Sequence, residues 1–195
     1  MYRLFIAANL SPEIVLALRE TQNQLKRHLA GAPLSWTRPE GIHVTFKFLG
    51  DTDPRRVEAI TAALRQAVSP HRPFTVTVGG FGCFPNPRKA NVLWVGIQDP
   101  GGKLARLAAS VDQATAALGW EPEHRPFTAH LTLARVQRDA AADQRRALGE
   151  ILPTVTLPAS LGAIAIDRIH LIRSELNSQG SIYTALGEVA LTGKT

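Results

Sequence analysis

The sequence predicts a globular fold of mixed helix and sheet, built as two similar lobes that face one another. Three observations carry that expectation. The order strand–helix–strand–helix occurs twice along the 195 residues. Each half holds one copy of a distinctive tetrapeptide, His43-Val44-Thr45-Phe46 and His130-Leu131-Thr132-Leu133. With 45% hydrophobic and 19% charged residues, the chain has the apolar content to bury a core, which excludes a disordered chain.

Residues 2–9 read as a first strand. Ser11 then stands at a helix N-cap with Pro12 at the first helical position, and Ile14, Leu18, Leu25 and Leu29 recur at helical spacing. Gly31-Ala32-Pro33 ends that helix, and Trp36 and Thr37 lead through Pro39 into a strand over 43–49. Gly50-Asp51 reads as a turn, and Asp53-Pro54 opens a helix to about Ser69 with Val57, Ile60, Leu64 and Val68 inward. Strands follow over 74–78 and 91–97, separated by the basic loop Pro85 to Lys89. A helix over 103–118 closes at Gly119, and a strand over 129–135 carries the second tetrapeptide. A short helix over 139–150 precedes a tail, 160–191, of two strands around the hairpin turn Asn177-Ser178-Gln179-Gly180.

Lysine and arginine number 22 against 16 aspartates and glutamates, a net charge of +6. A basic balance favours polyanionic partners such as nucleic acid. No apolar run approaches the roughly 20 residues needed to span a bilayer. Met1 to Asn9 reads as a strand and not a signal peptide, so the protein is expected in the cytoplasm. Cys83 is the single cysteine, too few for an intrachain disulfide or a thiolate cluster. At an apolar strand end it reads as a buried structural thiol and not a nucleophile. No heptad or large apolar stripe calls for an obligate oligomer, and a monomer is expected.

In a strand, side chains two apart share a face. His43 and Thr45 therefore point one way and Val44 and Phe46 the other; His130 and Thr132 repeat the arrangement against Leu131 and Leu133. A lone histidine in a strand is more often structural, but two copies in matching strands point to function. Two imidazoles across a cleft suit phosphodiester cleavage. The neutral one takes a proton from water and the protonated one gives a proton to the leaving oxygen, as an ordinary pKa of about 6.5 allows. Threonine hydroxyls donate to the non-bridging phosphate oxygens. The scheme needs no metal and no cofactor. A metal site is the competing reading, ranked lower because neither strand holds an Asp or Glu at ligand spacing.

At these residues the sequence resembles the two-histidine (2H) phosphoesterase superfamily. Within it the match is to the RNA 2′,3′-cyclic phosphodiesterases, also called 2′–5′ RNA ligases. Both tetrapeptides carry the resemblance, with Arg3 to Ala7, Gly41 to Gly50, Val92 to Gly96 and Arg125 to Arg135, in order over nearly the whole chain. It implies an α+β, bilobal fold: two antiparallel sheets with helices outside, pseudo-two-fold related around a central cleft, residues 1–195 forming one domain. It implies metal-independent hydrolysis of an RNA 2′,3′-cyclic phosphate end to a 2′-phosphate end, with 2′–5′ ligation as the reverse. His43 is then the general acid on the leaving 3′-oxygen and His130 the general base on water. Thr45 and Thr132 hold the phosphate. Thr128-Ala129 departs from the histidine and proline that relatives often carry before the second motif.

Strand alternation puts Lys47 on the His43 face and sends Phe48 and Arg135 to the opposite faces, with Phe48 expected in the core. Arg125, just before the second motif, is placed to meet phosphate or a base. Lys47 and Arg125 are thus the candidate substrate-binding cations, with a merely solvated charge as the alternative for each. Arg88 and Lys89 can meet an RNA backbone, and Phe81 and Phe84 can stack on a terminal base. His28, His71 and His170 read as surface or structural residues, while His124 can line the cleft. An RNA-binding module without catalysis and a phosphodiesterase for small cyclic nucleotides are the competing functions.

Overall fold

The computed structural model describes residues 1–177 and 180–193. β1 (Tyr2–Ala8) leads to α1 (Pro12–His28), the short strand β2 (Leu34–Trp36), a 3₁₀ turn (Pro39–Gly41) and β3 (Val44–Thr52). A second 3₁₀ turn (Pro54–Arg56) enters α2 (Val57–Val68), followed by β4 (Phe74–Phe84). The second half runs β5 (Val92–Gln98), α3 (Lys103–Ala117), β6 (His130–Val136), α4 (Ala142–Ile151), β7 (Gly162–Ile166), β8 (Arg168–Asn177) and β9 (Gly180–Ala190).

Helix starts follow local chemistry. Pro12 opens α1 with Ser11 at the N-cap position, although the Ser11 hydroxyl makes no capping bond. Asp53 does cap: its Oδ1 accepts the Arg55 N–H at 2.9 Å. The expected stripes of α1 (Ile14, Leu18, Leu25) and α2 (Ile60, Leu64, Val68) are buried. Each such side chain contributes roughly 1.5–3 kcal/mol on leaving water.

The strands form two antiparallel sheets, ordered β3-β1-β8-β9 and β2-β6-β5-β4-β7. Each half sends a strand into the other's sheet, β4 pairing with β5 and β8 with β1. Backbone ladders therefore interlock the two lobes. Leu4, Ile6, Val44 and Leu171 line one face of the first sheet, and Val76, Val95, Leu131 and Leu133 one face of the second; all join one core with α1, α2 and α3. Leu148 of α4 closes a second cluster over Leu93 and Ala134. Helices thus cover one face of each sheet, the α+β bilobal arrangement expected.

Besides the unpredicted β2, three elements differ from the sequence reading. β3 continues through Gly50 and Asp51, which form no turn; Gly50 takes φ +67 beside an extra residue in the ladder, a conformation glycine adopts without strain. β4 extends to Phe84. The tail forms three strands, because β7 joins the second sheet while β8 and β9 join the first. β8 and β9 pair out to Asn177 and Gly180; Ser178 and Gln179 of the expected turn lie outside the described residues. No helix among the described residues is long and apolar enough to cross a membrane.

Candidate active site

The two histidines are held in the same way. His43 Nδ1 lies 2.8 Å from the Gly41 carbonyl, two residues back. His130 Nδ1 lies 2.7 Å from the Thr128 carbonyl, also two residues back. A carbonyl can only accept, so each Nδ1 carries the hydrogen and each Nε2 presents a lone pair. Aromatic rings fix the ring planes. Phe5 stacks on His43 at 4.6 Å, and Tyr183 meets both rings edge-on at 5.4 and 5.3 Å. On the other side Phe84 meets His130 edge-on at 5.0 Å, with Trp94 at 6.4 Å. The Trp94 indole lies across Gly82, where a Cβ would come within 2.2 Å of the ring.

The ladders place the threonines beside them. Thr45 pairs with Ala7, which shares a face of β1 with Phe5; Thr132 pairs with Trp94, and His130 with Gly96. Each His–Thr pair therefore sits on the face of its sheet away from the helices.

Burial lowers both imidazoles. Desolvation pushes His43 down to about 4, against the pull of the Gly41 bond. His130 is lowered first by desolvation, with the charge of Arg135 adding to it and the Thr128 bond opposing. Both shifts favour the neutral ring.

A bulge in each histidine strand overturns the simple alternation. Opposite β1, Phe46 is an extra residue between Thr45 (paired with Ala7) and Lys47 (paired with Ile6). Opposite β5, Leu133 is an extra residue between Thr132 and Ala134. Both lie three residues after their histidine. An extra residue resets which side chains share a face. Lys47 therefore points to the core side, where its ammonium is engaged by Asp112 and, at 2.6 Å, by the Glu121 carbonyl. Phe48 pairs with Phe5 on the histidine face and is 65% exposed, not in the core. Arg135 pairs with Val92 on the face of Trp94 and Thr132, not on the opposite one.

The remaining candidates fall elsewhere. The Arg125 side chain is 87% exposed and pairs with Glu123 at 3.2 Å. Arg88 and Lys89 are exposed on a 3₁₀ turn beyond Phe84. His124 pairs with Glu121 and His28 with Thr154 at the surface, while His71 bonds Ser110. His170 is buried beside Ala7, its Nε2 3.3 Å from Glu188. Cys83 is half-buried, and burial raises its thiol. Among the described residues, no group of three or more His, Cys, Asp or Glu is placed to hold a metal ion. Phe5, Tyr183, Trp94 and Arg135 were missed as site residues, since only cross-strand register reveals them.

Two histidines anchored through Nδ1, His43 just ahead of β3 and His130 opening β6, each with a threonine two residues on, in two interlocked antiparallel lobes, define a two-histidine phosphoesterase. The chain belongs to the LigT-like phosphoesterase family, whose model matches twice, at residues 9–94 and 95–183, once per half. It is 32% identical to the RNA 2′,3′-cyclic phosphodiesterase of Methanothermobacter thermautotrophicus, over 93% of this chain and 95% of that one. It is 31% identical to the protein of the same name from Aquifex aeolicus, over 81% and 82%. Among solved structures it is similar to TT0787 of Thermus thermophilus (TM-score 0.79, 26% identity, 99% and 100% covered). It is likewise similar to E. coli LigT complexed with 3′-AMP (TM-score 0.76, 25% identity, 98% of each chain).

Proposed function

We propose that this protein hydrolyses the 2′,3′-cyclic phosphate at the end of an RNA to a 2′-phosphate, acting as a unit of residues 1–195 without a metal or cofactor. The observation that carries this reading is the matched anchoring of the two imidazoles, each with Nδ1–H on a carbonyl two residues back and Nε2 left for the substrate. The names of the relatives at 31–32% identity support the substrate class.

In the reaction, His130 Nε2 takes a proton from water as its oxygen bonds to phosphorus. The bond from phosphorus to O3′ breaks, and His43 Nε2–H delivers a proton to O3′. The products are a 2′-phosphomonoester and a 3′-hydroxyl, and a further proton exchange with solvent restores both rings. Thr45 and Thr132 donate to the non-bridging oxygens. The assignment of acid to His43 and base to His130 follows the family resemblance. The Arg135 charge near His130 favours its neutral, proton-accepting form. His43 is depressed by desolvation and not by a cation, so the approach of the phosphate anion raises it toward the protonated form. Exposed Phe48 offers a stacking face to the terminal base.

An oligoribonucleotide ending in a 2′,3′-cyclic phosphate, incubated with excess EDTA, tests the proposal. Conversion to a 2′-phosphate end is expected. Absence of turnover, a 3′-phosphate product, or activity that EDTA abolishes contradicts it. A mononucleotide cyclic phosphate run in parallel separates an RNA enzyme from one for small cyclic nucleotides.

A further inference from the structure

His130 follows a long connection from α3, residues 118–129, that has no helix or strand of its own. A side chain at the end of such a segment keeps a working position only if the segment is tied down. The ties run to β3, in the opposite lobe. The Lys47 side chain is 9% exposed, and its Nζ donates to Asp112 on α3 and to the Glu121 carbonyl. Asp112 also accepts the Glu123 N–H, at 3.1 and 3.2 Å, and Glu123 accepts the Arg125 N–H at 3.2 Å. Trp120 donates its Nε1–H to the Leu49 carbonyl at 2.9 Å. Phe127 stacks on Phe46 with centroids 6.1 Å apart and planes 11° apart. The next residue, Thr128, supplies the carbonyl that holds His130.

We propose that Lys47 is a positioning residue: its half-buried bridge to Asp112 and Glu121 seats the 118–129 segment, and through it orients His130 from the strand that carries the first motif. The proposal rests on the reading of His130 as an acid–base group. A merely structural ion pair makes a different prediction, because a buried pair replaced as a whole by apolar side chains of similar volume often costs little stability.

Lys47→Met alone leaves the half-buried Asp112 without its cation, so the deciding variant is Lys47→Met combined with Asp112→Leu. It should fold with a Tm near wild type. Its kcat on the cyclic-phosphate RNA should fall about 10-fold to 100-fold with KM within about twofold, the signature of a displaced reacting group. Imidazole ¹⁵N spectra should show His130 losing its single Nδ1–H form while His43 keeps its own. If the double variant does not fold, Asp112→Asn, which keeps the size and weakens the bridge, gives the same two readouts. A folded variant with wild-type kcat and an unchanged His130 spectrum overturns the proposal. His130→Ala, run alongside, separates the two layers. If His130→Ala is slow and the double variant fully active, only the positioning role fails. If His130→Ala is fully active, the acid–base reading fails with it.

Discussion

In the first lobe His43 rests between Phe5 and Tyr183, and its carbonyl partner belongs to a three-residue turn joined to α1 by the exposed Arg19–Glu40 pair. In the second lobe His130 is less deeply buried and feels the charge of Arg135; its carbonyl partner ends a segment held by the half-buried Lys47–Asp112 pair. The bulge three residues on serves both strands, but it presents an aromatic ring, Phe48, in one and a cation, Arg135, in the other. The backbone device is shared and the surroundings differ. The motif sets where Nε2 points, while neighbouring side chains set how readily each ring holds a proton.

The comparison breaks if either histidine proves dispensable. His43→Ala and His130→Ala should each lower kcat by about 10²- to 10⁴-fold, the usual contribution of a general acid or base, in single-turnover assays. Arg135→Ala removes the cation that helps depress His130. The same variant should raise the His130 pKa, moving one limb of the pH–rate profile upward while the His43 limb stays.

The pH profile of the wild type follows from the two lowered pKa values. The base must be neutral and the acid protonated, and both free rings titrate below 6.5, His43 at about 4. kcat/KM should therefore peak on the acid side of 6.5 and fall about tenfold per unit above the higher pKa. kcat should peak at higher pH, because a bound phosphate anion raises both rings. Phe48→Ala should raise KM about tenfold for an oligonucleotide, the loss of one base–aromatic stack. Since Phe48 is 65% exposed, the Tm should barely move.

Much of this was legible in the sequence. Helical spacing marked α1 and α2, and the repeated tetrapeptide marked both histidines and both threonines with the strands that carry them. The bulges were not legible. Phe46 and Leu133 are ordinary apolar strand residues, and nothing in their type announces an extra place in the ladder. Alternation counted past them therefore gave the wrong face for Lys47, Phe48 and Arg135. Tyr183 was hidden for a different reason: it reaches His43 only because β8 and β9 join the first sheet from the far end of the chain. β2 escaped because three residues are too few to show a period.

The most direct test of the central claim is the ¹⁵N spectrum of the two imidazoles at pH 7. His43 and His130 should both be neutral, protonated at Nδ1 and bare at Nε2. An Nε2–H tautomer or a standing imidazolium at either position in the free protein would contradict it.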